Sequence, residues 1–483
     1  MQCNHRTGTL ALGLLVSLSS LNGFEAQGQS HFFNADLPSG PSRFEEVGSM
    51  ASLKPFREVD SFKQKLLVPS EYDSIQDAVD AARDGDTILV DQSHALESFM
   101  VHNKDLIIRG VPQEGGELPL IGQYVDTDLS QGVSVYRSTL VIEGFRFANI
   151  RSSQGALDVD HSEVHVRNCE FIGNAAVSGG SRAAQGGAIS FNSPAKRNKS
   201  TVTGCRFESN SAKWGGKGGA IYVQSGWLDI EECEFALNEA DEGGAVCYAG
   251  GQGTLADCYF NGNGAWKGGG LRMLGATSLQ LVSCEFIGNR ADFGGGLHAG
   301  NVVRRITGSR YTISPPATQS CTLRSCTFRF NTAWGEGGGA YLVQGGHYMF
   351  QCEFESNEAS WSGPALFIED AYVRSTTRLH ATTMCQNFAT YSTSQIMGDY
   401  VDEGANCISQ LCGEMCENRL DLNGDGYIDW TDWSICYNAM ITLLHTTGSN
   451  ECLWGDACEG DVNDDGVIDR LDWTLIQGHI YGH

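Results

Sequence analysis

Basic residues and prolines are scarce in this sequence, and each shortage excludes a class of protein. Against 58 Asp and Glu there are only 32 Lys and Arg, which gives a formal net charge of -26. Nucleic-acid binding depends on basic side chains that neutralise phosphates, so we expect no nucleic-acid partner. Only 10 of the 483 residues are proline while 41% are hydrophobic. The chain can therefore bury a core and is not a disordered linker protein.

Long hydrophobic runs are also missing. The apolar stretch at residues 10–18 follows His5 and Arg6 and is too short to cross a bilayer. Small and polar residues come next, which is the order of a secretory signal peptide, predicted here over residues 1–26. No other stretch approaches about 20 consecutive apolar residues. We expect a secreted or cell-surface protein with no transmembrane segment in the mature chain, in a compartment that permits disulfides.

A six-residue unit, Cys-x-Phe-x-x-Asn, occurs seven times in the middle of the chain. Each unit is followed by a glycine cluster and a short apolar run, as in residues 218–223, Gly-Gly-Ala-Ile-Tyr-Val. The basic spacing is about 25 residues, and two longer intervals indicate insertions around residues 178–199 and 302–320. The units begin at Cys169, Cys205, Cys233, Cys258, Cys284, Cys326 and Cys352.

This repeat predicts the coils of a parallel β-helix, in which short strands alternate with Gly and Asn turns. Cys and Phe lie two residues apart and share a strand face, so stacking at about 4.8 Å should place both in internal columns. We expect each Asn to adopt the left-handed conformation and to hydrogen-bond the Asn of the next coil. Residues between Cys and Phe, such as Glu170 and Glu234, should point outward, as a solvated face or, alternatively, as a cation or catalytic site.

The cysteine column permits three interpretations: small apolar packing, a disulfide ladder or a metal site. Parallel side chains that point into a core disfavour disulfides, and seven is an odd number. A ladder of single thiols also offers no tetrahedral metal set. The pattern therefore favours a core of packed thiols over the other two interpretations. Disulfides are expected instead in the tail, among Cys407, Cys412, Cys416, Cys436, Cys452 and Cys458.

The segment before the repeat predicts a cap for the first coil. Residues 74–77, Ser-Ile-Gln-Asp, form a capping box that should begin a helix running to Arg83, ahead of a strand at 87–90. Residues 66–90 resemble the entry of right-handed pectin-lyase-like β-helix proteins, and the Phe-x-x-Asn and Gly-Gly-Ala repeats are similar to those of polymorphic outer-membrane proteins. The resemblance covers residues 61–405 and implies a mainly β, right-handed parallel β-helix solenoid, preceded by a segment of unassigned structure at 27–60.

The last 77 residues carry 14 acidic and 2 basic side chains, so this segment would repel itself unless it bound cations. Two 12-residue loops in identical register offer oxygen ligands at positions 1, 3, 5, 9 and 12, a carbonyl at position 7 and Gly at position 6. This arrangement suits Ca²⁺. We therefore predict two Ca²⁺ ions, held by Asp421, Asn423, Asp425, Tyr427, Asp429 and Asp432 in the first loop and by Asp461, Asn463, Asp465, Val467, Asp469 and Asp472 in the second.

Each loop leads into a similar helix start, Asp432-Trp433 and Asp472-Trp473. Duplicated loops of this kind, each followed by one helix, resemble a dockerin, the module that attaches extracellular enzymes to a cohesin. The resemblance implies a small α-helical calcium domain at residues 406–483 and a cohesin-like partner. Loop positions 10 and 11, which carry a Ser-Thr pair in many dockerins, are Trp430-Thr431 and Arg470-Leu471 here.

Five aromatic residues recur eight or nine positions after their Cys, just before the glycines. If the rings are exposed, they form a stripe that can stack on sugar rings or on another apolar partner. If they are not, each ring covers its own glycine turn, which is the more ordinary role. The candidate ligand-binding residues are Trp214, Trp266, Phe293, Trp334 and Trp361.

Two functions are compatible with the sequence. One is a polysaccharide-directed component that is docked through its tail and that, if it is an enzyme, is a lyase or a glycoside hydrolase. The other is a non-catalytic adhesin or surface-array protein. No Ser-His-Asp or Cys-His set recurs at coil spacing, and the motif sets of pectin-lyase-like enzymes are not found, so the sequence assigns no catalytic residue.

Overall fold

The computed structural model describes most of the repeat region and one helix beyond it. Chain contacts divide the protein into two compact units, Met1–Glu58 and Val59–His483, and all described residues belong to the second. The predicted signal peptide and residues 27–60 lie outside the described residues. The described residues are 63–409, apart from 92–93, 96–97, 114, 123–131, 178–182, 193–198, 276, 301–303, 308–309, 314–318, 344, 370–376 and 393, together with 430–447 and Ile468.

The chain winds through three parallel sheets in a fixed order, and each circuit adds one strand to each sheet. Sheet 1 has 13 strands and precedes each Cys-x-Phe unit. They are Lys65–Val68, Thr87–Val90, Asp105–Gly110, Thr139–Glu143, Glu163–Arg167, Lys199–Thr203, Trp227–Glu231, Gly251–Ala256, Thr277–Val282, Ser320–Arg324, Tyr348–Phe350, Arg378–His380 and Val401–Asp402.

Sheet 2 contains the Cys-x-Phe units and has 12 strands. They are His94–Ala95, Leu120–Gly122, Arg146–Ala148, Glu170–Ile172, Arg206–Glu208, Glu234–Ala236, Tyr259–Asn261, Glu285–Ile287, Thr327–Arg329, Glu353–Glu355, Thr383–Cys385 and Cys407–Ile408.

Sheet 3 follows the glycine clusters and has 11 strands. They are Met100–His102, Val133–Tyr136, Leu157–Asp160, Ile189–Phe191, Ile221–Val223, Val246–Tyr248, Leu271–Met273, Leu297–Ala299, Ala340–Val343, Leu366–Glu369 and Ile396–Met397.

Short strands also line the turn between sheets 2 and 3, in two parallel sets of four. These turn strands are Arg151–Ser152, Ala175–Ala176, Ser211–Lys217, Glu239–Glu242, Arg290–Ala291, Thr332–Ala333, Glu358–Ala359 and Phe388–Ala389. The insertion between residues 302 and 320 contains an antiparallel pair, Arg304–Thr307 with Arg310–Ile313. Three parallel sheets joined coil by coil in this way form a parallel β-helix, as the repeat predicts.

The core consists of stacked columns, as the alternation of each strand requires. Register pairs Val166 with Val202 and Phe171 with Phe207, and this pairing continues from coil to coil. The phenylalanine rings from Phe147 to Phe354 stack face to face, with neighbouring centroids 4.5–5.0 Å apart. The seven cysteines of the repeat are buried free thiols beside them, so the packed-thiol interpretation is confirmed.

The asparagines form a ladder through the core. Asn263 illustrates the pattern: its side-chain amide donates to Phe235 O at 2.9 Å and to Asn289 Oδ1 at 2.9 Å, while its Oδ1 accepts from Asn238. The predicted Asn–Asn contact between coils is therefore confirmed. The ladder runs through Asn174, Asn210, Asn238, Asn263, Asn289, Asn331, Asn357 and Asn387.

The predicted left-handed conformation of these asparagines is wrong. Positive φ falls on the residue before each Asn, for example 55° at Ser209 and 56° at Leu237. The Asn itself uses its backbone N–H as well as its amide to reach the next coil. The chain must therefore turn one residue earlier, so that both donors point along the axis of the stack.

The first coil is covered by helix α1, Ile75–Ala81, whose residues Ile75, Ala78 and Val79 are buried. Ser74 caps it by accepting a hydrogen bond from the Asp77 N–H, as the capping box predicts. The helix ends at Ala81, two residues before the predicted end at Arg83. At this end the ammonium of Lys104, which lies on a later circuit, donates to the carbonyls of Val79, Asp80 and Ala82. An ammonium at this end satisfies carbonyls that have no partner within the helix. Helix α2, Trp430–Thr447, is the other described helix.

Candidate functional site

The outer face of sheet 3 carries the most varied chemistry in the described chain. In each three-residue strand the first and third side chains point inward, so the middle one points outward. Register aligns these middle residues into one column. In chain order the column is Asp158, Ser190, Tyr222, Cys247, Arg272, His298, Tyr341 and Phe367.

At the start of this column lies a cavity of about 590 Å³. Its floor includes Asp158 and Asp160 of strand Leu157–Asp160, and its walls come from the segments before and after the strands of sheet 3. Nearly every lining side chain can make hydrogen bonds. The lining residues are Ser153, Gln154, Asp158, Asp160, His161, Ala183, Gln185, Asn192 and Gln224.

Two carboxyl groups of the cavity, Asp158 and Asp160, share one face of one strand. Asp158 accepts a hydrogen bond from Asn192 Nδ2 at 3.0 Å. Burial disfavours its charge and raises the pKa of Asp158 to about 6. The nearby charge of Asp160 raises this pKa further, by a smaller amount. Asp160 is hydrogen-bonded to His161 Nδ1 at 2.6 Å. The cavity therefore presents one carboxyl that is partly protonated near neutral pH and one that is held by an imidazole.

Further along the column the outward side chains are buried and bonded to one another. Arg272 is 1% exposed, and its guanidinium donates to Met273 O at 2.9 Å and to His298 Nδ1 at 2.7 Å. His298 then accepts at Nδ1, and burial together with Arg272 holds the pKa of His298 well below its ordinary value. The rings of His298 and Tyr341 stack at 4.5 Å. These groups stabilise the sheet, and His298 is a buried imidazole with a structural partner.

The predicted aromatic stripe is present, and its four tryptophans are exposed. Trp214 is 85% exposed, and Trp266, Trp334 and Trp361 are 50–60% exposed. Such values do not fit rings that cover their own glycine turns.

Phe293 behaves differently. It is partly buried, it meets Tyr341 edge to face at 5.9 Å, and it lies over Gly335, where a Cβ would come within 2.7 Å of the ring. This ring therefore packs on a glycine of the next coil and not on the glycine turn that directly follows it.

The stripe is two residues wide rather than a single column. Backbone hydrogen bonds align Trp266 with Asp241 on one side and Asp292 on the other, and they align Asp292 with Trp334 and Gly335. Phe293 instead pairs with Lys267, one position further along. Trp266 and Trp334 thus lie two coils apart, about 10 Å at normal strand spacing, with a carboxylate between them.

Polar neighbours hold Trp266 in place. The Lys267 ammonium lies 4.6 Å from the centre of its ring, and the Trp266 side chain hydrogen-bonds the carboxylate of Asp292. Burial of Asp292 raises its pKa, and this hydrogen bond opposes the shift. The ring is therefore oriented before any ligand arrives. We call the four tryptophans with Asp241, Lys267 and Asp292 the aromatic row.

The sequence repeat missed two exposed aromatic residues on the last coil, Phe388 and Tyr391. The turn strand Phe388–Ala389 pairs in register with Glu358–Ala359, so Phe388 lies level with Glu358, three residues before the position of Trp361. This coil has Thr382 and Met384 where the others have Cys and Phe, so a search for the repeat passes over it. The cavity residues were missed as well. The alternating run Leu157-Asp-Val-Asp160 is the signal that could have indicated outward carboxylates there.

The glutamates between Cys and Phe form ion pairs on the outer face of sheet 2. Arg146 lies 2.6 Å from Glu170, Arg329 lies 2.8 Å from Glu353, and Arg206 lies 3.9 Å from Glu234. These pairs span neighbouring coils and favour the solvated-face interpretation.

The cysteines divide as the sequence indicates. Burial raises the pKa of the Cys169 and Cys205 thiols well above their ordinary value, so these thiols are not nucleophiles. Near the end of the stack, Cys385 and Cys407 are each disulfide-bonded. Cys407 belongs to the tail set in which disulfides were expected, and Cys385 was not anticipated.

The predicted calcium loops fall almost entirely outside the described residues. Residues 421–429 and 461–472, apart from Ile468, are not among them, and Asp432 is represented only by its place as the third residue of α2. Within the described part of the chain, no group of three or more His, Cys, Asp or Glu side chains is arranged to hold a metal ion. The two Ca²⁺ ions therefore stay a prediction. No helix of the described chain is long and apolar enough to cross a membrane.

Comparison with known proteins supports the architecture. A family model described as the right handed beta helix region matches residues 128–307. The fold is a right-handed parallel β-helix. Among curated proteins there is no match.

Two solved structures are similar over most of their length. The periplasmic alginate epimerase AlgG has 9% sequence identity and a TM-score of 0.32, with 68% of this chain and 77% of that chain covered. The Siphovirus 9NA tailspike receptor binding domain has 11% identity and a TM-score of 0.26, with 73% and 74% covered. At these TM-scores neither likeness carries an argument about function.

Proposed function

We propose that this protein is an exported polysaccharide-binding β-helix whose aromatic row is the binding surface. The observation that carries the proposal is the exposure of Trp214, Trp266, Trp334 and Trp361 along one edge of the coil stack. Large aromatic side chains are usually buried, so four exposed indoles in one row indicate a surface that meets a partner.

A glycan fits the row better than an apolar partner does. The indoles alternate with Asp241, Lys267 and Asp292 instead of merging into one apolar patch. Sugar rings have an apolar C–H face that stacks on an indole and hydroxyl groups that bond to carboxylates and ammonium groups. An extended polymer can also contact several coils at once, which multiplies weak contacts.

The tail is proposed to attach the β-helix to another protein. Its paired loops resemble those of dockerins, so we propose two Ca²⁺ ions in residues 406–483 and a cohesin-like partner. Holding the β-helix in a complex would bring its aromatic row to an insoluble polysaccharide together with other proteins.

The proposal is tested by measuring glycan binding of single variants. Trp266→Ala and Trp334→Ala should each weaken binding of a soluble polysaccharide about 3- to 10-fold while leaving the melting temperature nearly unchanged, because the rings are exposed in the free protein. Phe330→Ala is the matched control, since Phe330 is 56% exposed on the turn before Asn331, away from the row. It should change neither quantity.

Three results would contradict the proposal. One is a lower melting temperature with unchanged binding, which would make the rings packing residues. Another is an equal loss of binding in the Phe330 control. The last is no binding of any neutral or acidic polysaccharide by the wild-type protein at millimolar concentration, which would favour the non-catalytic adhesin.

A further inference from the structure

We infer that the cavity at Asp158 and Asp160 is a second glycan subsite that accepts neutral, hydroxyl-rich sugars and excludes uronates. The inference rests on the proposed function and deepens it, because it names the class of polysaccharide. Three observations carry it: the cavity itself, its position beside the aromatic row and the charge of its lining.

The cavity is built to form hydrogen bonds. Gln154, Gln185, Gln224 and Asn192 supply amide groups that both donate and accept. They come from three successive circuits, with Gln185 and Asn192 on either side of the same strand, and they meet over sheet 3. A volume of about 590 Å³ lies within the range of small-ligand sites. Hydroxyl groups also donate and accept, so a sugar can satisfy such a lining.

The cavity continues the edge that carries the aromatic row. Gln185 pairs with Lys217, Lys217 pairs with Glu242, and Glu242 pairs with Lys267 of the row. Trp214 lies on the same turn strand as Lys217, one coil from Gln185. A polymer stacked on Trp214 therefore reaches the cavity by advancing one coil.

The charge of the lining selects among sugars. None of the described residues that line the cavity is Lys or Arg, and two of them, Asp158 and Asp160, are acidic. At these described residues a uronate carboxylate would meet the carboxyl groups of Asp158 and Asp160 and no guanidinium or ammonium group. As a carboxylate, Asp158 can accept a hydrogen bond from a sugar hydroxyl, and because burial raises its pKa to about 6 it loses this charge only as the pH falls toward 6. Asp160 is already bonded to His161.

The test is calorimetric titration of the full-length protein with three classes of oligosaccharide probe. These are neutral β-linked hexasaccharides (cello-, xylo- and manno-), an oligogalacturonate and a deacetylated chitosan oligomer. We expect a neutral probe to bind at least about tenfold more tightly than the oligogalacturonate. Replacing Gln185 and Gln224 by Ala together should weaken the neutral probe about tenfold without changing the melting temperature.

Two further variants sharpen the result. Gln252→Ala alters an exposed amide on sheet 1, outside the cavity, and should leave binding unchanged. Asp158→Asn combined with Asp160→Asn keeps the shape of the lining and removes its acidity. It should improve binding of the oligogalacturonate about tenfold, because the two like charges are gone.

The outcomes separate the subsite from the row. If Trp266→Ala weakens binding while the Gln185/Gln224 double variant does not, the proposed function stands and the cavity subsite is wrong. Preference for oligogalacturonate or for the chitosan oligomer in the wild-type protein would overturn the neutral class. If no probe and no polysaccharide binds, both the function and the subsite are wrong.

Discussion

Adjacent residues in the repeat have opposite surroundings, and Phe235 and Glu234 show this within one strand. Phe235 is fully buried between Phe207 and Phe260, at 4.8 Å from each ring centroid. Glu234 points outward and lies 3.9 Å from Arg206. The two residues therefore separate the contribution of the core from that of the surface.

Phe235→Ala should destabilise the β-helix by about 3–5 kcal/mol, because coils bonded above and below cannot close the cavity that the lost ring leaves. Glu234→Ala, the matched control, should cost less than about 1 kcal/mol, since it removes one partly exposed ion pair. Denaturant unfolding of both variants measures the difference. Equal costs would mean that the strand register is wrong.

At the scale of single residues, the alternation along each strand correctly predicted which side chains face inward. The sequence did not predict which residue of the turn has the left-handed conformation. The inward positions of Cys and Phe follow from their spacing alone. The left-handed residue could not be found in the same way, because Ser209, Leu237 and Phe330 are not types that favour positive φ. They adopt it because the following Asn must aim two donors at the next coil.

The asparagine ladder is the element that joins each turn to the next. Asn263→Ala would leave the buried amide and N–H of Asn238 and the carbonyl of Phe235 without their partner. We expect a loss of at least about 3 kcal/mol, because several buried polar groups lose their hydrogen bonds together. Thermal melting should show it clearly. Asn261→Ala, on the outward face of the neighbouring strand, is the control and should melt near the wild-type temperature.

Elements were predictable where the repeat is regular and not where it degenerates. The capping box gave the start of α1, while its end depends on Lys104, which is distant in sequence. The coil at residues 145–150 continues the phenylalanine stack with Phe147 but has Phe145 and Ile150 in place of Cys and Asn. Packing needs only an apolar residue of suitable size at those sites, so the pattern fades while the coil persists.

For the molecule as a whole, the tail gives the most direct prediction. Titration of the full chain with Ca²⁺ should show two sites, and removing the ion with a chelator should lower the melting temperature of the tail, because its carboxylates then repel one another. Asp421→Ala together with Asp461→Ala should abolish both effects.

A stoichiometry below two, or a melting curve that chelator does not change, would remove the calcium prediction. Asp402→Ala is a suitable control, because Asp402 is an acidic residue at the end of the β-helix, outside both loops. It should retain both sites.

At this scale the sequence indicated the solenoid and the aromatic row but not the cavity. The row depends on a tryptophan eight or nine positions after Cys, which recurs in four of the seven units, and such a signal is visible in the sequence. The cavity joins Gln154, Gln185 and Gln224, which lie in three successive circuits and share no common offset. A linear sequence pattern does not show which outward side chains are exposed to solvent and which, like Arg272, are buried by their neighbours.

The register of the strands on either side of the antiparallel insertion has a consequence for the evolution of such a sequence. Strand Thr277–Val282 pairs in step with Ser320–Arg324, although the hairpin Arg304–Ile313 lies between them. Extra residues that leave and re-enter at a turn therefore do not disturb the coils on either side. Changes within the strands are different: a complete circuit can be removed with every column still aligned, whereas loss of a single residue inside a strand would move the following side chains of that strand to the opposite face.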